Sequence, residues 1–343
     1  MCTCNKNGDS IVAKYLNQVR EKINELENIN KRLTGNIDGL LFAYRGEEMD
    51  FGESRLTPSI FRNNGFVQKE VSLFEKLEDY NIVNSDRYID KMIDAQHYVA
   101  VSRSLDITFN VLVALYFACY QSPGNEQKYE DGALYVFCFP NYVSPHSLQI
   151  EELYQIILGK KEGKILDKNF KVISHAMNND RIIAQNGGFI FFPGKKKYTI
   201  SDVYYEKILI NQDDKKAILD ELDILFGINK AKIFPEKELV AKYVKEQWIK
   251  SNECCMKDHR IENQIDEFVD RLKYELKLRF EKEIKRRPDQ ENEIRINNLR
   301  IIRKEFNDLK VFVNNVEDNK KREELTIKVE KICDKMRRSQ DEQ

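Results

Sequence analysis

The sequence contains no apolar stretch as long as a membrane span requires. Its first residues, Met1-Cys2-Thr3-Cys4-Asn5-Lys6-Asn7, hold no apolar signal-peptide core, so nothing supports secretion. Charge of one sign is not in excess either: 56 Lys and Arg face 57 Asp and Glu, for a formal net charge of −1. That balance argues against a basic nucleic-acid footprint over the whole chain. The seven cysteines are an odd number and lack the two-residue gap of a zinc knuckle. Cys2 with Cys4 and Cys254 with Cys255 are the adjacent pairs, and neither has a ligand cluster beside it. Free thiols in a reducing compartment, and no metal site, are therefore expected. Taken together, these absences predict a cytoplasmic protein without a membrane segment.

What is present is a chain of 343 residues, long enough to favour two domains. Ile11, Tyr15, Val19, Ile23, Leu26 and Ile29 recur at helical spacing and predict an amphipathic helix over Ser10 to Lys31. Leu40 to Tyr44 reads as a short buried strand ended by Arg45-Gly46, and Val67 to Tyr80 as a helix. Phe109 to Tyr120 is apolar on every face, which marks a buried helix, with Asp106 and Thr108 placed to cap it. Gly132 to Phe139 reads as a core strand. Gly188 to Phe192 and Tyr198 to Ile200 read as a strand pair around a Pro193-Gly194 turn. Helices follow at Lys215 to Phe226 and Glu236 to Lys245. Segregated strands and helices predict an α+β domain.

Beyond Trp248 glycine disappears, and nearly half the residues are charged. Apolar residues step by three and four from Ile261 to Phe280, from Leu299 to Val316 and from Leu325 to Met336, with Pro288 interrupting. This predicts an all-helical charged arm with a heptad-like seam. The seam suits a homodimer or a protein partner through residues 255–338, and it suits an intramolecular bundle equally well. Nucleic acid is not the expected partner of an arm with such balanced charge.

Polar residues at the ends of apolar elements either knit a core or line a cleft. Arg45, Arg62, Gln96, His97, Arg103, Asp106, Thr108 and Gln185 are such residues. Arg45 fits a structural ion pair, with Asp106 as a candidate partner, or a phosphate clamp. His97 fits a satisfied structural histidine, a general acid/base or a nucleotide-stacking group. Asp106 and Thr108 fit helix caps, and an anion held at that helix N-terminus is electrostatically reasonable.

Several segments in a fixed order resemble the FRG family. They are Tyr44-Arg45-Gly46, Leu56-Thr57-Pro58-Ser59-Ile60-Phe61-Arg62, Ala95-Gln96-His97-Tyr98, Ser102-Arg103, Leu105-Asp106, Val113 to Ala118, Asp131 to Phe137, Arg181 to Phe189 and Leu225 to Ile228. Val99, Val101, Ser102, Ile107 and Val111 stand where that family usually has glycine, proline, threonine, tryptophan and proline. The resemblance implies an N-terminal helix at 1–36, an FRG domain at 37–245 and a helical arm at 246–343. The motif order is also similar to the ADP-ribosyltransferase fold, which implies a mixed core with an NAD pocket. In that comparison Arg45, Arg62, Arg103, Asp106 and Thr108 would hold the cofactor, and His97 and Gln185 would serve the chemistry. The glutamate that such a transferase uses is not evident, because Gln185, Asn186 and Gly187 occupy its region. A toxin or phage-defence effector is the role this resemblance implies, and a non-catalytic interaction module is the alternative.

Overall fold

The computed structural model describes residues 10–34, 39–63, 65–121, 130–158, 165–174, 179–250 and 260–341. The chain divides into two compact units, Met1–Ile249 and Lys250–Gln343. Cys2, Cys4, Cys254 and Cys255 lie outside the described residues, and Cys119, Cys138 and Cys333 are buried free thiols.

The first unit is mixed helix and sheet. Along the chain come α1 (Ile11–Thr34), β1 (Leu41–Glu47), α2 (Glu70–Asp79), α3 (Tyr88–Val99), β2 (Ser104–Thr108) and α4 (Val111–Cys119). They are followed by β3 (Gly132–Phe139), α5 (Leu148–Leu158), β4 (Lys171–Ile173), α6 (Asp180–Gln185), β5 (Gly187–Phe191) and β6 (Tyr205–Ile210). The helices α7 (Lys215–Phe226), α8 (Lys230–Ile233) and α9 (Lys237–Lys250) complete the series. The strands form one open sheet in the order β4-β5-β2-β1-β3-β6, with antiparallel pairing throughout. β3 is buried at every position, as its unbroken apolar run requires of a strand covered on both faces.

Strand alternation decides which side chains share a face. Tyr44 lies opposite both Thr108 and Val136, and Asp106 lies opposite Phe189, so these residues all project to one side. The helices cover that side in two groups. α1, α4 and α7 pack on Leu134, Val136, Ile208 and Ile210, while α2, α3 and α5 pack on Phe189 and Phe191. The other side carries Ala43, Ile107, Tyr135, Phe137 and Ile190, and residues of connecting segments such as Leu56, Phe61, Phe170 and Tyr204 cover it. α1 is joined to α7 by Glu221, whose carboxylate accepts from the Ser10 hydroxyl at 2.8 Å and from the amides of Ile11 and Val12 at 3.0 Å. Those donors are ones a helix N-terminus leaves open.

Three elements differ from the sequence expectation. β1 continues through Arg45-Gly46 to Glu47, because its ladder with β3 runs on to Glu47 opposite Ala133. The α4 cap is Asn110, whose Oδ1 accepts from the Leu112 amide at 3.0 Å, while Asp106 sits in the middle of β2. Tyr198 to Ile200 forms no strand: β5 already pairs with β2 on one edge and β4 on the other, and the unforeseen β6 occupies the sheet's far edge.

The second unit consists of α10 (Ile261–Arg286), α11 (Glu291–Asn314) and α12 (Asn319–Asp341). A single 3₁₀ turn at Pro288–Gln290 separates the first two, since proline cannot continue the ladder. Ile265, Leu272, Leu276, Ile302, Phe306, Leu309, Val313, Leu325, Val329 and Met336 make one core, so the heptad-like seam is closed within this unit. No helix among the described residues is long and apolar enough to cross a membrane.

Candidate functional site

On the helix-bearing face, a cavity of about 180 Å³ opens above β2 and β5. Gln96 and His97 reach it from the last turn of α3, Asp106 from β2, and Arg181 and Gln185 from α6. The glycines at 187 and 188 begin β5 beneath it. Two left-handed residues set these walls. Ala100, at φ 52, ends α3, and Asn186, at φ 48, turns α6 directly into β5.

The polar groups are tied to one another. Gln96 Nε2 donates to Asp106 Oδ2 at 2.8 Å, while Gln96 Oε1 is buried without a hydrogen-bond partner. Thr108 Oγ1 donates to the Gln185 carbonyl at 2.6 Å and accepts from the Asn110 amide at 3.0 Å, pinning the α6–β5 turn to β2. Gln185 Nε2 donates to the Ile233 carbonyl at 3.1 Å. Glu236 stands beside two lining residues: its Oε1 is 3.8 Å from His97 Nε2 and 3.5 Å from Arg181 Nη1. Glu236 Oε2 is buried and unpartnered.

Burial pushes the His97 imidazole below its ordinary pKa, the Arg181 guanidinium pushes the same way, and Glu236 and Asp106 oppose both. His97 is therefore neutral at neutral pH and able to accept a proton. The linkage has a definite sign. With the folded pKa below the unfolded value of 6.5, the unfolded chain takes the proton first, so this contribution to stability is lost as pH falls below 6.5. Arg181→Gln is expected to raise the His97 pKa and Glu236→Gln to lower it, both read by NMR titration of the imidazole. Unchanged titration in both variants would remove the electrostatic coupling inferred here.

Arg45, Arg62 and Arg103 do not line this cavity. Arg45 lies opposite Tyr135, so its side chain leaves the sheet on the other face. Its ionic partner is Glu47, at 3.1 Å, and it meets Asp106 only through the backbone carbonyl, at 2.7 Å. The Asp106 carboxylate belongs to Gln96 instead. Arg62 donates twice to the Thr57 carbonyl, at 3.2 and 3.0 Å, and burial together with Arg45 pushes its pKa down. Arg103 is held in a buried pair with Glu70. The cavity thus gathers Gln96, His97, Asp106 and Gln185, with Thr108 fixing the turn behind them.

Sequence reasoning did not foresee Arg181 or Glu236 as members of this group. Arg181 opens a segment singled out in the sequence only by resemblance, which was the available signal. Glu236 had none, because only the fold brings the residues after α8 beside α3. Among the described residues, no group of three or more His, Cys, Asp or Glu is arranged to hold a metal ion.

No curated protein and no solved structure matches the chain. Residues 41–127, from β1 through the buried α4 and beyond, match the family model of the FRG domain, and the protein carries an FRG domain in this segment.

Proposed function

We propose that the cavity over β2 and β5 takes the ribose end of a nucleotide such as NAD, within an ADP-ribosyltransferase-like core. The observation that carries this reading is the convergence of Gln96, His97, Asp106, Arg181 and Gln185 on one small cavity. Gln96, a lining residue, has a buried Oε1 acceptor that lacks a donor, and a sugar hydroxyl is a donor of the right kind. Arg181 supplies a cation at the same margin, suited to a phosphate.

Volume limits what enters. Sites that enclose a whole ligand span roughly 300–1,000 Å³, so a cavity of about 180 Å³ holds one moiety while the rest of a dinucleotide lies outside it. Under this proposal Glu236, which stands behind the lining residues His97 and Arg181, puts a carboxylate next to a site whose late strand has none. An oxocarbenium-like transition state needs such a carboxylate nearby. A nucleotide-dependent effector of the toxin or phage-defence kind is the role that the resemblance to the FRG family, and not the cavity, implies.

Calorimetric titration of the full chain with NAD tests the proposal. Saturable binding is expected in the parent protein. Arg181→Gln should weaken it about tenfold or more, as loss of a charge-assisted contact does, and Gln96→Leu by a smaller factor. Absence of binding by the folded parent would end the nucleotide reading and leave the non-catalytic interaction module in its place.

A further inference from the structure

The opposite face of the sheet carries a second cavity, of about 250 Å³, which the nucleotide reading above does not use. Four aromatic residues line it. Phe139 ends β3, Phe170 immediately precedes β4 and Tyr204 immediately precedes β6, while Tyr142, 51% exposed, stands on the segment leaving β3. Ring centroids lie 5.9 Å apart for Phe139 and Phe170, 5.3 Å for Phe170 and Tyr204, and 6.2 Å for Phe139 and Tyr204. Phe170 is inclined by 59° to Phe139 and by 85° to Tyr204, and Phe139 by 32° to Tyr204, so the three rings are adjoining walls and not a parallel pair.

These rings are held before any ligand arrives. Phe139 stacks on Phe137 at 5.3 Å, and Phe170 stacks on Tyr198 at 6.3 Å. Val143, next to Tyr142, is tied to the β4 edge, donating to the Val172 carbonyl at 2.9 Å and accepting from the Ser174 amide at 3.0 Å. Walls fixed in this way cost little ordering entropy on binding.

Charge is kept out of the cavity. Lys171 is the one charged residue of the lining, and it lies opposite Phe191, which packs on the helix-bearing side. Strand alternation therefore carries the Lys171 side chain to that side, away from the rings. None of the described lining residues is acidic, and Asn141 and Asn169 supply the amides. Asn169 Oδ1 accepts from the Phe170 amide at 2.9 Å, which leaves its Nδ2 group for another partner.

A planar base stacks best between parallel faces, whereas inclined adjoining faces enclose a rounded group. Ring faces are negative, and centroids this close allow one cation to lie within about 6 Å of all three. A primary ammonium would lose its water here with no carboxylate to receive its N–H groups. A trimethylammonium group has no N–H to satisfy, and its methyl groups suit apolar walls.

We propose that this cavity binds the trimethylammonium head of a free small molecule such as choline, held against Phe139, Phe170 and Tyr204, with Tyr142 at the margin and the ligand oxygen on the Asn169 amide. A volume of about 250 Å³ falls below the roughly 300–1,000 Å³ of sites for larger ligands and suits a molecule of this size. The site lies on the other side of the sheet from the Asp106 cavity, so its occupancy does not depend on what that cavity binds.

The test is calorimetric titration of the full chain with choline beside two analogues. One is dimethylbutanol, in which a neutral tert-butyl group replaces trimethylammonium; the other is ethanolamine, which keeps the charge and lacks the methyl groups. Saturable choline binding is expected, about tenfold or more tighter than that of either analogue. Tyr204→Leu keeps apolar bulk and removes a ring face, so it should weaken choline about tenfold and leave dimethylbutanol unchanged. Tyr142→Leu, at an exposed position, should weaken choline several-fold, and it decides the matter if Tyr204→Leu fails to fold. No binding of choline by the parent would overturn the proposal, and so would equal binding of dimethylbutanol. Choline binding that survives both variants and is lost in Gln96→Leu would overturn it as well, because the ligand would then belong to the first cavity. Sedimentation with phosphatidylcholine vesicles at lower concentrations than choline needs to saturate would overturn the choice of a free molecule.

Discussion

Replacing Gly46 by alanine is expected to cost the first unit about 3 kcal/mol or more, read as a lower urea midpoint or as loss of soluble protein. A Cβ at Gly46 would stand 1.9 Å from the Ala114 carbonyl oxygen, 2.4 Å from the Ala118 amide nitrogen and 2.9 Å from the Phe117 carbonyl carbon. All three atoms are backbone of α4, so no side chain can swing aside to make room. The helix itself would have to lift from β1, and with it Val113, Ala114 and Leu115, which are buried in the core it shares with α1 and α7. Interiors packed to crystal-like density do not absorb such a displacement locally. Gly187→Ala is the control: its Cβ would meet the Ile182 side chain at 3.4 Å, an ordinary contact, and should cost less than about 1 kcal/mol. Similar losses in both variants would mean that close approach is not what fixes glycine at Gly46.

That contact also explains how much of the fold could be read from the sequence. The strand Gly132–Phe139 and the buried helix Val111–Cys119 were legible because an unbroken apolar run has few other ways to be satisfied. The arm was legible through its three- and four-residue steps, since a repeating seam survives without knowledge of its partner. β6 was not legible: Tyr205–Ile210 spans only six residues at a sheet edge and buries Tyr205, Ile208 and Ile210, which breaks the two-residue alternation. Likewise, α6 is too short for a periodic signal, with its start set by the Asn179 cap and its end by left-handed Asn186.

The candidate site was half legible for a related reason. Gln96, His97 and Asp106 are close in sequence, and polar residues beside apolar runs draw attention by themselves. Which face each arginine takes is a matter of strand register, and a shift of one residue reverses it. Arg45 and Asp106 lie on adjacent strands, yet Arg45 stands opposite Tyr135 and Asp106 opposite Phe189, on different faces. The ion pair expected between them is therefore a guanidinium-to-carbonyl contact, and each carboxylate serves a different partner.

Arg103→Ala is expected to destabilise the first unit by about 3–5 kcal/mol, the range for leaving one member of a buried ion pair without its partner. Arg103 Nε lies 2.8 and 2.6 Å from the two oxygens of Glu70, and both side chains are only 2% exposed. Arg103 Nη1 also donates to the Gly194 carbonyl at 2.6 Å, and the Tyr154 hydroxyl donates to Glu70 Oε1 at 2.7 Å. The pair thereby ties α2, α5 and the start of β2 to the chain leaving β5. Burial pushes the Glu70 carboxyl up, and Arg103 and Tyr154 pull it back. Alanine removes the stronger restraint, so the folded pKa rises further above the unfolded value. Such a carboxyl favours the folded state below the unfolded pKa and loses that advantage as pH rises through the folded pKa. The variant's deficit should accordingly be smallest in mild acid and grow toward neutral pH, measured by urea denaturation across that range. Adding Glu70→Gln to Arg103→Ala should recover part of the loss, because the buried side chain left without its partner is then neutral. A deficit that is flat with pH and not relieved by the second substitution would assign the cost to the lost contact with the Gly194 carbonyl instead of to the stranded carboxylate.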